Sequence, residues 1–273
     1  MNVLYCGNKK VFDGVLTSAL SIVMRFSSPR PLRIYLFTMN LTRLNPQYTA
    51  IEKAQAAHIE RALKKFNPDT KVLLHDVTNL YETHLKGNAN EDCYCSPYTL
   101  LRLLADCVEM PDKLLYLDAD ILFQRDPALL YDIDIEGYEY AAARDHYGKY
   151  LVYPNYINAG VLLFNMQKCR ATRLFEKARA LLCKKKLPFA DQSALLRSTT
   201  KKKMLPQRFN DQKFLHKHTV VRHFSKRLFW LPYPHTDNIK QWQVERVKKV
   251  FKYTAFEDIF NEYLAQKAIF EKE

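Results

Sequence analysis

The stretch Lys113-Leu-Leu-Tyr-Leu-Asp-Ala-Asp-Ile-Leu-Phe123 constrains this chain more than any other. An apolar run, Leu114-Leu-Tyr-Leu117, stops at two carboxylates, Asp118 and Asp120, and resumes as Ile121-Leu-Phe123. Short apolar runs bounded by polar residues read as buried strands of a parallel or mixed sheet. Side chains two apart on a strand share a face, so Asp118 and Asp120 are expected to project together. Two like charges held that close are unfavourable unless a cation lies between them. Carboxylate oxygens suit a hard divalent ion, Mg²⁺ or Mn²⁺, and open α/β folds place their ligands at the ends of sheet strands. The plainer alternative is a strand that ends in an Asp-rich turn, with one Asp capping the next element.

The flanking segments supply the rest of a sheet. Residues 2–6 read as a first strand, Gly7-Asn8 as a turn and 12–24 as a helix. Residues 31–38 form a second strand, and Asn45-Pro46 opens a helix running to about Lys65. A third strand follows at 71–77, a polar loop at 87–92 and a helix from Ser96-Pro97. This alternation predicts an α/β fold: a mixed, largely parallel central sheet flanked by helices. Beyond the Asp pair, strands are expected at 138–144 and 157–164, helices at 166–185 and 190–197, and short strands at 202–205 and 220–223. A Pro-rich turn, Leu231-Pro-Tyr-Pro234, then leads into an amphipathic helical tail that includes Val244, Val247, Phe251, Phe256, Ile259 and Phe260.

The hydrophobic content of 48%, in 273 residues, supports a sizeable core and excludes disorder for most of the chain. No window approaches the ~18 uninterrupted apolar residues of a membrane span. The start, Met1-Asn-Val-Leu-Tyr-Cys-Gly7, reads as a strand rather than a signal peptide, so a cytoplasmic protein is expected. Cys6, Cys107, Cys169 and Cys183 stand singly in apolar contexts, as buried thiols do. Cys93 and Cys95 are too close for an ordinary disulfide and lack a second pair for zinc. A formal charge of +13 favours an anionic partner: nucleic acid, an acidic membrane face or a phosphorylated small molecule. The basic tail points to peripheral contact with a membrane through its Lys/Arg face.

Five elements, in order, resemble the family 8 glycosyltransferases, the group that includes glycogenin and bacterial lipopolysaccharide galactosyl- and glucosyltransferases. They are Arg102 on the preceding helix, Leu115-Tyr-Leu-Asp-Ala-Asp-Ile121, Tyr156-Ile-Asn-Ala-Gly-Val-Leu-Leu-Phe-Asn165, Asp191-Gln192 and His223-Phe224. The first strand and turn also match in position, so the resemblance spans roughly residues 1–230.

The resemblance implies a GT-A-type nucleotide-sugar transferase domain over 1–230; beyond it, the apolar members of the tail predict that residues 231–273 form a helical C-terminal extension packed on that domain. It implies transfer of a hexose (glucose or galactose) from a UDP-sugar to an acceptor hydroxyl, with retention of configuration. A nucleotide-sugar donor leaves as a diphosphate, so a divalent cation can neutralise the developing charge. Asp118, Asp120 and His223 are the expected metal ligands, and an N/O set suits Mn²⁺ somewhat better than Mg²⁺. Asp191 and Gln192 are the expected catalytic pair, Gln192 facing the reacting side of the sugar.

Asn8, Arg102, Asp145, Asn158, Ala159, Gly160 and Lys226 are the expected nucleotide-sugar contacts. Gly160 would leave room for a sugar ring against the backbone. Two positions depart from the family pattern. Asn8 stands where an Asp usually faces uracil, and its amide oxygen can still accept from a base N–H. After the late His the family continues through Gly to Lys-Pro-Trp, whereas this chain reads Ser225-Lys-Arg-Leu-Phe-Trp230, leaving Lys226 or Arg227 for the cationic role. The expected acceptor is a cell-envelope glycan or glycolipid.

The rival readings are an Asp-x-Asp phosphatase and a basic nucleic-acid-binding protein. The first wants its Asp pair after the first strand, with a Thr two residues on. The second wants a helix-turn-helix, RRM or zinc signature, which the sequence lacks; no nucleic-acid partner is therefore expected.

Overall fold

The computed structural model describes residues 1–91 and 96–272; Cys93 and Cys95 lie outside these. In chain order the elements are β1 (Asn2–Cys6), α1 (Phe12–Arg25), β2 (Arg33–Thr38), α2 (Lys53–Lys64), β3 (Lys71–Asp76) and α3 (Thr78–His84). A 3-10 helix (Pro97–Leu104) precedes β4 (Lys113–Leu117), β5 (Ile121–Phe123), α4 (Ala128–Tyr131), β6 (Tyr140–Arg144), α5 (Gly148–Leu151) and β7 (Ile157–Asn165). Then come α6 (Met166–Thr172), α7 (Leu174–Lys184), α8 (Ala190–Ser198), β8 (Lys202–Leu205) and β9 (Val221–His223). The chain finishes with β10 (Arg227–Phe229), β11 (His235–Asp237), α9 (Val244–Phe251) and α10 (Glu257–Phe270).

Seven strands form the central sheet in the order β3-β2-β1-β4-β7-β6-β8. The first four are mutually parallel, β7 runs antiparallel to both β4 and β6, and β8 returns parallel to β6. This is the mixed, mostly parallel sheet expected from the alternation of elements. β4 lies near its middle and is buried on both faces, which is why its run is continuously apolar. Leu115 and Leu117 join one core layer with α1, while Leu114 and Tyr116 join the other with the 3-10 helix and α7. The tail belongs to the first layer: Val244, Val247, Phe256, Ile259 and Phe260 pack with Val15, Leu16 and Ala19. Arg25 and Asp258 pair across α1 and α10, and Tyr263 Oη donates to Asp13 Oδ1 at 2.9 Å.

Local chemistry moved several boundaries. The second helix begins at Lys53 rather than Asn45, because Asn45 Oδ1 captures the Gln47 N–H in a turn while Glu52 and Gln55 form a capping box downstream. The helix at Pro97 is 3-10, and within it the Arg102 Nε donates to the Thr99 carbonyl. One long helix expected at 166–185 is two, split at Arg173 in the left-handed region (φ 56°). Cys183 is exposed, not buried. Beyond His223 the Pro-rich segment is the tip of a β10–β11 hairpin.

Candidate active site and metal centre

β4 stops at Leu117, so Asp118 and Asp120 lie in the turn between β4 and β5 and not on the strand. Their convergence comes from two pairings. Asp118 N donates to Gly160 O on β7 at 2.8 Å, and β5 pairs antiparallel with β9, setting Ile121 opposite His223. His223 Nε2 consequently lies 3.1 Å from Asp120 Oδ1 and 3.9 Å from Asp118 Oδ2. One ligand atom from each of the three residues lies within 4.8 Å of the others, a cluster able to hold a metal ion.

The imidazole is oriented by a chain of amides. Asn158 Oδ1 accepts from the Gly160 N–H, a group that can only donate, at 3.0 Å. Asn158 Nδ2 therefore faces the Asp145 carboxylate, donating to Oδ2 at 2.8 Å. Asn210 Nδ2 donates to Asn158 Oδ1 at 2.8 Å, which turns Asn210 Oδ1 toward His223 Nδ1 at 3.0 Å. With an ion bound, a neutral imidazole so placed would carry its proton on Nδ1 and turn its Nε2 lone pair toward the ion. The space above Gly160 is filled by this ring. A Cβ there would lie 2.3 Å from His223 Cε1 and 2.8 Å from Asp118 Oδ2, so the missing side chain makes room for the histidine rather than for a sugar.

Arg102 is buried and joins the parts. Its Nη2 donates to Asp118 Oδ1 at 3.0 Å, its Nε lies 3.3 Å from Asp191 Oδ2, and Nη1 donates to the Ala159 carbonyl. The guanidinium sits 4.0 Å from the centre of the Tyr116 ring, whose hydroxyl donates to Asp118 Oδ1 at 2.7 Å. Burial works against its charge, yet Asp191, Tyr116 and Asp118 hold it firmly protonated. Burial pushes the Asp191 carboxyl up, and Arg102 opposes that rise. Gln192 Oε1 accepts the Ala159 N–H at 2.9 Å, so both backbone groups of Ala159 are bound by side chains of the cluster. Gln192 Nε2 is buried without a hydrogen-bond partner.

Besides Arg102, a second cationic group beside the carboxylates is Lys240. Its ammonium donates to Asp120 Oδ2 and, at 3.1 Å, to the Phe224 carbonyl. Burial opposes the charge on Asp120, but Lys240 and His223 hold its carboxyl well below the usual carboxylate range. Gln241 Nε2 donates to Ala119 O at 2.6 Å, and Trp242 packs where a Cβ on Gly14 would meet it at 2.7 Å. Lys226 is exposed, and Arg227 lies over the rings of Phe214, Phe229 and Phe251. Lys240-Gln-Trp242 thus places a Lys and a Trp beside the Asp pair from beyond the hairpin, whereas the sequence points to Lys226 or Arg227 for the cationic role. Asn210 carries no comparable signal: it is one buried polar residue in an irregular stretch.

A cavity of about 220 Å³ runs from Asn8 past Tyr98 and Thr99 to Asp118, Asp120 and Lys240. At its far end Asn8 Oδ1 accepts from the Lys10 N–H at 3.1 Å. Asp145 lies at the opposite side of the cluster, where Oδ1 accepts the N–H groups of Tyr147 and Gly148.

No curated protein sequence matches this chain. Among solved structures it superimposes on the WbbM bifunctional glycosyltransferase with a TM-score of 0.72 at 17% identity, using 100% of this chain and 51% of that one. The chain therefore spans about half of that protein's length. On the galactosyltransferase LgtC, in complex with donor and acceptor sugar analogues, the TM-score is 0.67 at 18% identity, covering 97% and 96% of the two chains. The glycosyltransferase GlyE of Streptococcus pneumoniae TIGR4 gives 0.64 at 19%, covering 97% of this chain and 63% of that one. At such identities the likeness shows a shared fold, the GT-A arrangement. The sequence model of glycosyl transferase family 8 matches residues 2–226. Running from the first strand to just past His223, that match establishes the chain as a member of glycosyltransferase family 8.

Proposed function

We propose that the protein is a metal-dependent, retaining hexosyltransferase that moves glucose or galactose from a UDP-sugar to the hydroxyl of a cell-envelope glycan or glycolipid. The observation that carries this reading is the meeting of Asp118, Asp120 and His223 at one end of a cleft whose other end is Asn8. The span suits a nucleoside diphosphate, with the base at Asn8 and the phosphates at the carboxylates and Lys240.

Two carboxylates and an oriented imidazole fit a divalent ion such as Mn²⁺ or Mg²⁺. Such an ion, when bound, neutralises charge on the departing diphosphate. Lys240 adds a second positive charge beside the same place. Asp145, Asn158 and Asp191 hold donor-sugar hydroxyls in this reading, and Gln192 Nε2 has an unused proton for one more. Gln192 is a poor nucleophile, and its Oε1 is already bound to Ala159 N–H. A front-face path in which the departing phosphate accepts the acceptor's proton fits these residues better than a covalent intermediate. Buried Arg102 keeps Asp118 and Asp191 in register and supports both ends from beneath. The phosphatase alternative loses ground because the Asp pair follows β4, not β1.

Among the described residues no helix is long and apolar enough to cross a membrane. We place the activity on the cytoplasmic side, peripheral to a membrane. The test is a panel of UDP-sugars with Mn²⁺, scored for UDP release and for product anomeric configuration. Release from no UDP-hexose, or from all equally without metal, would count against the reading.

A further inference from the structure

We propose that the edge of the molecule beside Asp145, built from residues 146–153, 212–218 and the β10–β11 hairpin, docks onto an anionic lipid surface. Composition supplies the first observation. Residues 212–236 contain no Asp or Glu, and neither do residues 146–156, in a chain that has 29 acidic residues overall. The same stretches carry Lys149, Lys213, Lys217, Lys226 and Arg227.

The structure packs these distant stretches together. His146 N donates to Gln212 Oε1 at 2.9 Å, Leu228 N donates to Tyr147 Oη at 3.1 Å, and the Arg227 guanidinium lies 5.1 Å from the Phe214 ring. From this base two apolar tips reach into solvent. Tyr150 and Leu151 are 77% and 81% exposed, and Trp230 and Leu231 on the hairpin are 66% and 83% exposed. Tyr153 and Tyr233 stand beside them. Soluble surfaces scatter single apolar residues, but paired tips of Trp, Tyr and Leu mark an interaction site. Trp and Tyr favour the headgroup level of a bilayer, and adjacent cations favour acidic lipid.

A glycan would use the aromatic faces but leave Leu151 and Leu231, the most exposed of all, without a fitting partner. Hydrocarbon takes both. The C-terminal helices are a poorer candidate despite Lys248, Lys249 and Lys252. Their cations are interleaved with Glu245, Glu257 and Asp258, and the Asp258 carboxylate is already paired with Arg25. The proposed edge also borders the site, since Asp145 Oδ2 takes the Asn158 amide two residues before Gly160. A lipid-linked acceptor in the bilayer would therefore arrive next to the donor pocket, a consequence that rests on the transferase reading, whereas the docking itself does not.

The experiment is sedimentation of the full chain with vesicles of phosphatidylcholine alone or mixed with phosphatidylglycerol, without nucleotide. The chain should partition onto the anionic vesicles and be released by added salt. Replacing the hairpin tip, Trp230→Ser with Leu231→Ser and Tyr233→Ser, should weaken partitioning roughly tenfold or more. Tyr150→Ser with Leu151→Ser should act in the same direction. Lys248→Gln with Lys249→Gln and Lys252→Gln should change it less than about twofold. Circular dichroism and unchanged UDP release with a soluble acceptor in the tip variants would separate loss of docking from loss of fold or activity. The proposal is overturned by no partitioning even at low salt, by equal partitioning onto neutral vesicles, or by tip variants that bind like the parent chain. Binding of a soluble oligosaccharide or protein at the tips, with none to vesicles, overturns it as well.

Discussion

Replacing Asn210 with Ala perturbs the metal centre while leaving Asp118, Asp120 and His223 in place. Asn210 is fully buried, gives Nδ2 to Asn158 and offers Oδ1 to His223 Nδ1. Without it Asn158 Oδ1 still holds the Gly160 N–H at 3.0 Å, so that oxygen is not orphaned. His223 Nδ1–H is orphaned, and an unmet buried donor costs about 1–3 kcal/mol. The ring escapes by carrying its proton on Nε2 instead, where Asp120 Oδ1 accepts it at 3.1 Å. Stability then falls by less than the full penalty. An ion needs the Nε2 lone pair, however, and freeing it in the variant returns the proton to an unpartnered Nδ1. Losing the outer partner of a ligating histidine lowers metal affinity about 10- to 100-fold, or about 1.4–2.8 kcal/mol.

Two measurements check this reasoning. Long-range ¹H–¹⁵N correlation should show Nδ1–H on His223 in the parent with diamagnetic Mg²⁺ bound and Nε2–H in the metal-free variant. Calorimetric titration with Mn²⁺ should show the affinity loss. Asn210→Asp, which keeps an acceptor on Nδ1, should keep the tautomer and lose stability instead, because a carboxylate then faces Asn158 Oδ1. An alanine variant with Nδ1–H and parental Mn²⁺ affinity would refute the argument.

Four further outcomes are expected. Gln192→Ala should lower kcat on the order of 10²-fold with nearly constant UDP-sugar affinity, because a preorganised dipole is lost while nucleotide and metal anchor the donor elsewhere; steady-state kinetics with product-inhibition binding constants decides it. Lys240→Met should weaken UDP binding without weakening Mn²⁺ binding, since it removes a charge that competes with the ion for Asp120; paired calorimetric titrations would expose the opposite pattern. Gly160→Ala should abolish Mn²⁺ binding and lower stability by about 1–3 kcal/mol, because its Cβ overlaps the His223 ring; a denaturant melt and a Mn²⁺ titration read both. Arg25 holds the Asp258 carboxyl below its ordinary value, so this pair stabilises the fold above about pH 4 and the effect is lost as pH falls through the depressed value; in the half-exposed geometry Arg25→Gln should remove under about 1 kcal/mol at pH 7, seen by thermal melts across pH.

Periodicity made the sheet legible because its strands obey a local rule: both faces of β4 and β7 are buried, so their sequences are largely apolar runs, interrupted in β7 by Asn158. The Asp pair and His223 were legible because each ends or borders such a run. What escaped was whatever depended on distant pairing. Asp118 and Asp120 converge through a turn fastened by β7 and β9, and strand alternation is not the cause. Lys240 was hidden by the hairpin between it and His223. Asn210 has no local signature at all, since its role is defined only by Asn158 and His223 reaching it from other segments. Gly160 stands out in the sequence for the right property, a missing side chain, but which group would fill the gap depends on β9.

The β5–β9 pairing has a consequence for the stability of the whole molecule. It brings residue 120 to residue 223, and Lys240 closes over the same carboxylate. Contacts so far apart in sequence carry a loop-closure entropy that the unfolded chain does not overcome. An unfolded chain cannot present those ligands together, so an ion that binds them binds the native state alone. By mass action it should add about 2.7 kcal/mol to global stability at a concentration about one hundred times its dissociation constant. Mn²⁺ would then act as a staple for the entire chain, and a thermal shift that grows with the logarithm of its concentration would read the centre's affinity without substrate or turnover.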